Sequence, residues 1–208
     1  MLRTTNKRII DAAMNLIIQK GYRAATTKEI AEKAKVSEAT IFRNFKNKQG
    51  LMKAMIEQQA PVPESMITKA EGDLYEDLLH FATTLLQQLE QKKEVFRICL
   101  REPELFEDVL QDIVVYPQSV KKHLIVYFKE LTKKNMISPG SEEANADVFM
   151  TMVFGYFIHR LQLGKRVITL SEETMLKHST EIFMKGITGR SLSGSKEDEG
   201  WVQRKNGR

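Results

Sequence analysis

Apolar positions recur along this chain with the spacing of an α-helix. Between Thr4 and Lys20 they form one stripe that stops before Gly21, made of Ile9, Ala12, Ala13, Leu16 and Ile17. Such a stripe is typical of an amphipathic helix that packs one side against a core. No segment shows the alternation of a half-buried strand, so the pattern predicts an all-α protein.

Capping residues, prolines and glycines set the boundaries of further helices. The predicted ranges are 27–34, 38–45, 48–59, 72–91, 94–101, 103–114, 117–134, 142–164 and 172–186. Pro103 and Pro117 are assigned to first turns, where a missing N–H costs the helix nothing. Ser141 and Ser171 are assigned as caps of the last two helices.

Two short helices joined by a tight turn follow the first helix. Thr26 is placed to cap the first of them, and Ser37 is placed to cap the second. Between them, Val36 serves as an apolar plug in the turn. These features together predict a helix-turn-helix, whose second helix enters the major groove of DNA.

The second of these helices has a small and polar outward face. Ile41 and Phe45 lie four residues apart and are expected to face the core. The remaining positions project outward: Glu38, Ala39, Thr40, Arg43 and Asn44. Small residues let a helix approach DNA closely, and polar ones contact base edges or phosphates. The short helix is therefore the predicted recognition helix.

Charge is distributed unevenly along the chain. The segment 1–53 contains twelve Lys and Arg against four Asp and Glu, whereas the remainder contains twenty against twenty-three. A basic module joined to a slightly acidic body indicates that only the first part contacts nucleic acid.

This N-terminal stretch resembles the TetR family of bacterial transcriptional regulators over roughly the first quarter of the chain. The matching residues are Gly21, Tyr22, Thr26, Thr27, Glu29, Ile30, Ala31, Ala34, Val36, Ser37, Thr40, Ile41, Phe42, Phe45, Lys46, Asn47, Lys48 and Leu51. The resemblance implies an N-terminal three-helix DNA-binding module and a larger C-terminal helical domain for ligand binding and dimerisation. It also implies a dimer on a palindromic operator of double-stranded DNA.

Two positions depart from the family pattern. Lys35 stands where the family usually has glycine, and a left-handed lysine there would cost about 1 kcal/mol while adding a charge near DNA. Phe42 stands where the family usually has tyrosine, so its ring can pack on the DNA backbone but cannot donate a hydrogen bond. The predicted DNA-binding residues are Thr27, Lys28, Ser37, Glu38, Ala39, Thr40, Phe42, Arg43, Asn44, Lys46 and Lys48.

We predict a helix-turn-helix domain at 1–47, an effector-binding and dimerisation domain at 48–188, and a disordered tail at 189–208. Residues 48–60 form the linking helix, which Pro61 and Pro63 interrupt. The tail combines glycine, serine and charged residues with Trp201, a composition typical of disorder.

The apolar helices of the second domain pack into either a solid core or a cavity for a small molecule. The family resemblance implies an effector cavity, and the apolar helices favour an apolar or amphipathic effector. Its candidate lining is Phe81, Leu85, Phe96, Arg97, Leu100, Arg101, Phe106, Val109, His123, Tyr127 and Phe154.

The last two helices contain more apolar surface than a one-sided helix needs. We expect them to pair with their two-fold mates as a four-helix bundle in a homodimer. The candidate interface residues are Met152, Gly155, Ile158, Met175, Ser179, Ile182 and Phe183.

Other functional classes lack support in the sequence. The four histidines are dispersed, Cys99 is the single cysteine, and no nucleophile-base pair or phosphate loop is present. We therefore expect no enzyme, no metal and no cofactor. Without an apolar run of membrane length or a signal peptide, we expect a cytoplasmic protein with no membrane partner. The two alternatives that remain are a ligand-released repressor and a DNA-binding structural or partner-recruiting protein without a small-molecule effector.

Overall fold

The computed structural model describes residues 2–57 and 72–189, without the side chains of residues 2, 3, 57, 103–110, 112 and 113. Within these ranges every element of regular secondary structure is an α-helix. The helices are α1 (Leu2–Lys20), α2 (Thr27–Ala34), α3 (Glu38–Phe45), α4 (Lys48–Glu57), α5 (Leu74–Gln91), α6 (Lys93–Arg101), α7 (Pro103–Lys133), α8 (Glu142–Leu163) and α9 (Glu172–Thr188). The predicted all-α fold class is confirmed.

Helices α1 to α4 enclose the smaller of two cores, which we call the module core. It buries most of the predicted stripe of α1 and both core positions of α3. Its members from these four helices and the loop before α2 are Ile9, Ile10, Ala12, Ala13, Ile17, Ala25, Ile30, Ala31, Ala34, Ile41, Phe45, Leu51, Met52 and Met55. The linking helix therefore packs with the DNA-binding module.

Helices α5, α7, α8 and α9 enclose the larger core, which we call the body core. Aromatic rings fill its centre: the centroids of Phe149 and Phe183 are 4.9 Å apart, and those of Phe81 and Phe149 are 6.1 Å apart. The Tyr127 hydroxyl at its margin donates to Asp77 Oδ2 at 3.0 Å. Interlocking rings of this kind fix how the four helices pack.

Helix α6 contributes side chains to both cores. Val95, Ile98 and Cys99 are buried in the module core. Phe96, on the other side of the helix, packs against the body core and meets the Phe157 ring edge to face at 5.2 Å. The short helix thus joins the module to the body.

The prediction of separate helices at 103–114 and 117–134 is wrong, because Pro117 lies inside one continuous helix, α7. Pro117 removes one main-chain donor, but the residues after it are anchored by buried Val120 and Leu124. Tertiary packing therefore outweighs the local cost. Ser141 precedes α8 as predicted, but its hydroxyl donates to the Ser138 carbonyl oxygen at 3.2 Å and caps no backbone N–H.

Cys99 is buried, and burial raises the pKa of its thiol to about 11. The thiol is thus protonated at neutral pH, the opposite of what a redox-sensing cysteine needs. Among the described helices, none combines the length and the apolar character needed to cross a membrane.

Lys92, at the junction of α5 and α6, is 7% exposed. Its Nζ lies 3.3 Å from the centroid of the Tyr116 ring. Burial disfavours the charged amine and lowers the pKa of Lys92 from 10.5 to about 8.

Replacing Lys92 by methionine is expected to change how stability depends on pH. Because the folded pKa lies below the unfolded value, the unfolded chain binds more protons between pH 8 and 10.5, and wild-type stability rises over that window. Over this window the free energy of unfolding of the wild type is expected to rise by about 2 kcal/mol relative to that of Lys92→Met. Denaturant unfolding from pH 7 to 10.5 measures it, with exposed Lys93→Met as the control. Parallel curves for wild type and Lys92→Met would contradict the burial of a charged amine.

Candidate DNA-binding surface

Thr26 and Glu29 fix the start of α2 through a reciprocal cap. The Glu29 backbone N–H donates to Thr26 Oγ1 at 3.2 Å, and the Thr26 backbone N–H donates to Glu29 Oε2 at 3.0 Å. Lys20 of α1 donates a hydrogen bond to Glu29, and this bond is the main cause that lowers the pKa of Glu29 to about 2. The predicted cap is confirmed, and it also fastens α2 to α1.

The turn between α2 and α3 contains a left-handed residue at the position where the family usually has glycine. Lys35 has φ 54° and ψ 51°, and its N–H donates to the Glu32 carbonyl oxygen at 3.1 Å. Ser37 then caps α3, because its Oγ accepts from the Thr40 N–H at 3.3 Å. The exposed Lys35 side chain therefore stands immediately before the recognition helix.

The exposed surface of α3 is concentrated at three residues. Ala39 and Arg43 are exposed, and the Phe42 ring is 47% exposed. Arg43 has no ion-pair partner among the described residues. A small side chain beside a free guanidinium is suited to close approach and to donation toward guanine or phosphate.

The other predicted contacts of α3 are half-buried and already bonded within the module. Thr27 Oγ1 donates to Glu38 Oε1 at 2.5 Å, and Ser37 Oγ lies 2.9 Å from Thr40 Oγ1. Asn44 Nδ2 donates to Asn6 Oδ1 of α1 at 2.8 Å. Their DNA contacts remain predictions, and these bonds hold α3 in position against α1 and α2.

The bond between Asn6 and Asn44 brings the start of α1 beside the end of α3. Lys7, adjacent in the chain and exposed, therefore joins the candidate phosphate contacts, although the sequence reasoning missed it. The signal was a polar, basic first turn ahead of the apolar stripe. Lys28 and Lys46 are both exposed, and Lys46 ends α3 with φ 66°.

Lys48 has a structural role that the sequence did not indicate. Its ammonium donates to the carbonyl oxygens of Tyr22 and, at 2.9 Å, of Ala25, and it lies 4.2 Å from the centroid of the Tyr22 ring. Desolvation lowers the pKa of Lys48, while the charge of Glu102 opposes that shift. Lys48 thus holds the loop between α1 and α2; its phosphate contact remains a prediction.

Glu102, between α6 and α7, connects this loop to the body. Its Oε1 accepts from the Tyr22 N–H at 3.2 Å. A Cβ at position 21 would lie 3.2 Å from the same oxygen, and Gly21 has φ 87°, so glycine suits both the approach and the conformation. The end of α1 is therefore fastened to the end of α6.

The residues predicted to line the pocket lie in different parts of the structure. Phe81, Leu85 and Tyr127 are buried together in the body core. Phe96 and Phe154 pack edge to face at 6.4 Å, and His123 Nδ1 lies 2.8 Å from its own helix's Ser119 oxygen.

The polar residues predicted for the pocket lie on α6. Arg97 pairs with Glu94 at 2.6 Å, and Arg97 and Arg101 line a cleft between α6 and α1. Leu100 is 42% exposed. The side chains of Phe106 and Val109 lie outside the described residues. The predicted lining is thus not a single site, and the pocket remains a prediction.

Of the predicted dimer residues, one is exposed, one is buried and the others are half-buried. Ile182 is 69% exposed, and a Cβ at Gly155 would meet no atom within 4 Å. The half-buried members of the set are Met152, Gly155, Ile158, Met175 and Ser179. Phe183 was misplaced: it is 6% exposed and contacts Phe128 and Phe149, because α9 turns this position inward.

Known proteins are similar to this chain in sequence. The family model for bacterial regulatory proteins of the TetR family matches residues 9–55. The uncharacterized HTH-type transcriptional regulator YvkB of Bacillus subtilis (strain 168) is 57% identical over 187 residues, 90% of this chain and 99% of YvkB. The chain belongs to the TetR family. It is a DNA-binding transcriptional regulator rather than an enzyme, as the sequence predicted.

Solved structures of other regulators share the fold. The flavonoid-responsive regulator FrrA has a TM-score of 0.69 at 23% identity, over 90% of this chain and 99% of its own. PfmR, a TetR-family regulator from Thermus thermophilus, has a TM-score of 0.61 at 14% identity, over 86% of this chain and 97% of its own. The N-terminal module and C-terminal helical domain are thus the family's architecture.

Arg43→Ala is expected to weaken binding to the cognate site by roughly 1 to 3 kcal/mol and to relax base preference, because the free guanidinium is removed from the groove face. Lys46→Ala is the comparison: it should weaken all sequences alike and lower the salt slope by about one. Protein titrations of a library of DNA sites, repeated at several salt concentrations, separate the two effects. An unchanged base preference in Arg43→Ala would show that Arg43 does not read the bases.

Lys48→Met is expected to lower the free energy of unfolding by about 1 to 3 kcal/mol, because loop carbonyls lose a charged donor. Chemical denaturation measures the change, and Lys28→Met is the control since Lys28 is exposed and holds no loop. If Lys48→Met loses DNA affinity while its free energy of unfolding is unchanged, the side chain contacts phosphate and does not stabilise the loop.

Proposed function

We propose that this TetR-family protein is a repressor that binds an inverted-repeat operator as a homodimer and releases it when a small apolar or amphipathic effector binds the body. The observation that carries the proposal is the division of α6 between the two cores. A change in the body that shifts α6 must also shift the module, since Val95, Ile98 and Cys99 are buried there.

Two contacts support this route from body to module. Glu102 follows α6 directly and accepts from the Tyr22 N–H, so movement of α6 acts on the loop before α2. Lys48 holds the same loop from the first residue of α4. An effector displaces DNA only if it binds the DNA-incompetent arrangement more tightly, and typical couplings are about 1 to 3 kcal/mol.

The chemistry of the proposed effector is inferred from the side chains of the body core. The aromatic body core favours a ligand with an apolar or aromatic frame. FrrA, a regulator of similar fold, is flavonoid-responsive. A flavonoid is an amphipathic aromatic molecule, which agrees with an effector of this class.

The proposed dimer forms through the open faces of α8 and α9. Ile182→Asp is expected to convert the dimer to monomers, because a charge would be buried at the two-fold contact while the monomer loses no core packing. Val126→Asp on α7, also at an exposed apolar position, is the matched control. Sedimentation equilibrium at micromolar concentration gives the oligomeric state. A dimer that tolerates Ile182→Asp would place the interface elsewhere.

The repressor proposal is tested by first selecting bound fragments from the native genome and then titrating operator in the presence of ligands found by thermal shift. Stabilising ligands are expected to weaken operator binding about 5- to 150-fold. If saturating ligands leave operator affinity unchanged, a DNA-binding protein that recruits partners becomes the better account. Transcription from a reporter carrying the selected fragment distinguishes repression from activation.

A further inference from the structure

Lys92 is a buried cation without an anionic partner in the described part of the chain. No carboxylate of a described residue lies within 4.0 Å of its ammonium, whereas its neighbour Lys93 pairs with Glu90 at 3.6 Å. The Lys92 ammonium instead lies over the face of the Tyr116 ring. Lysine is almost never this deeply buried unless it is paired, and none of the described carboxylates pairs with Lys92.

Two other polar atoms in this region also lack partners. Tyr116 Oη and Gln88 Oε1 are buried, and neither has a hydrogen-bond partner among the residues that the structure describes. Gln88 lies in the last turn of α5, four residues before Lys92, which ends the helix. Buried polar atoms in native proteins are nearly always bonded, so these two atoms, together with a cation that no described carboxylate pairs, are candidates to bind a ligand.

Aromatic residues lie close to Lys92 in space or along the chain. The Tyr116 ring lies under the ammonium, and Phe96 follows Lys92 by one turn at the start of α6. Phe96 packs edge to face on Phe154 and Phe157 at the margin of the body core. A ligand seated here would place its charge at Lys92 and an apolar frame against aromatic carbon.

We propose that Lys92 and Tyr116 form the polar end of the effector site and bind the carboxylate of an otherwise apolar ligand, with Gln88 close to them in the chain. A single ammonium matches a monoanion, so a carboxylate fits better than a phosphate. The Tyr116 hydroxyl donates to the carboxylate, whereas Gln88 Oε1 can only accept and would need a separate donor, such as a hydroxyl of the ligand. This inference rests on the proposed function, since it gives the effector its charge and its place.

The position of Lys92 also explains how such a ligand would act on DNA binding. The Lys92 carbonyl oxygen accepts from the N–H groups of Val95 and Phe96, at 3.0 and 3.2 Å, and so forms the first turn of α6. Movement of Lys92 toward an anion moves this turn. Because Val95 is buried in the module core, the displacement is transmitted to the module.

The test uses two pairs of probes that differ in charge at one end: 2-naphthoate with 2-naphthalenemethanol, and octanoate with 1-octanol. Calorimetry with the full-length protein is expected to show at least one carboxylate binding about tenfold or more tightly than its neutral analogue. Lys92→Met should abolish this preference, whereas Lys93→Met should keep it. Tyr116→Phe retains the ring beneath the ammonium and should weaken carboxylate binding several-fold.

The proposal is overturned if neither carboxylate is preferred or if Lys92→Met retains the preference. Tyr116→Phe guards against a folding artefact, since it removes only a hydroxyl that has no partner in the described chain. Operator titration separates this proposal from the repressor role. Carboxylates that bind through Lys92 without weakening operator binding support the anion site and contradict ligand-released repression. Release by neutral ligands that is unaffected by Lys92→Met supports repression and contradicts the anion site.

Discussion

Val95, Ile98 and Cys99 of α6 complete the core of the DNA-binding module, while Phe96 of the same helix packs against the body. A helix shared in this way cannot move with one core and leave the other unchanged, because close-packed interiors transmit displacement rather than absorb it. The orientation of the recognition helix therefore depends on where α6 lies. The position of α6 depends in turn on the packing of the body.

Polar contacts at the same boundary also fix the loop between α1 and α2. Glu102 and Lys48 hold the loop between α1 and α2 from two sides, one from the end of α6 and the other from the start of α4. The module is thus attached at its loop as well as through its core. At the opposite end of α6, Lys92 is buried against the Tyr116 ring, and no described carboxylate pairs with it.

Local chemistry made the module predictable from the sequence. Thr26 and Ser37 cap helices through their own side chains, and Lys35 takes a left-handed conformation that a tight turn requires, so each signal lies within a few residues of its effect. Features set by distant packing were not predictable. Pro117 continues a helix where propensity alone would end it, and Phe183 faces inward although its neighbour Ile182 is exposed.

The candidate site shows the same division between local and distant causes. The exposure of Ala39 and Arg43 follows from helical period alone, so the sequence predicted it. By contrast, three contacts join residues far apart in the chain. They are the hydrogen bond between Asn44 and Asn6, the hydrogen bonds of Lys48 to the loop carbonyls, and the contact of the Lys92 ammonium with the Tyr116 ring. Only the folded arrangement brings those partners together.

Hydrogen exchange of an Ile98→Ala variant tests most directly whether α6 belongs to the module core. Removing this buried side chain is expected to cost about 2 to 5 kcal/mol, and the account predicts faster exchange in α1 and α4 as well as in α6 itself. Exchange that accelerates only within α5 to α9, with α1 and α4 as protected as in the wild type, would contradict the shared-helix account.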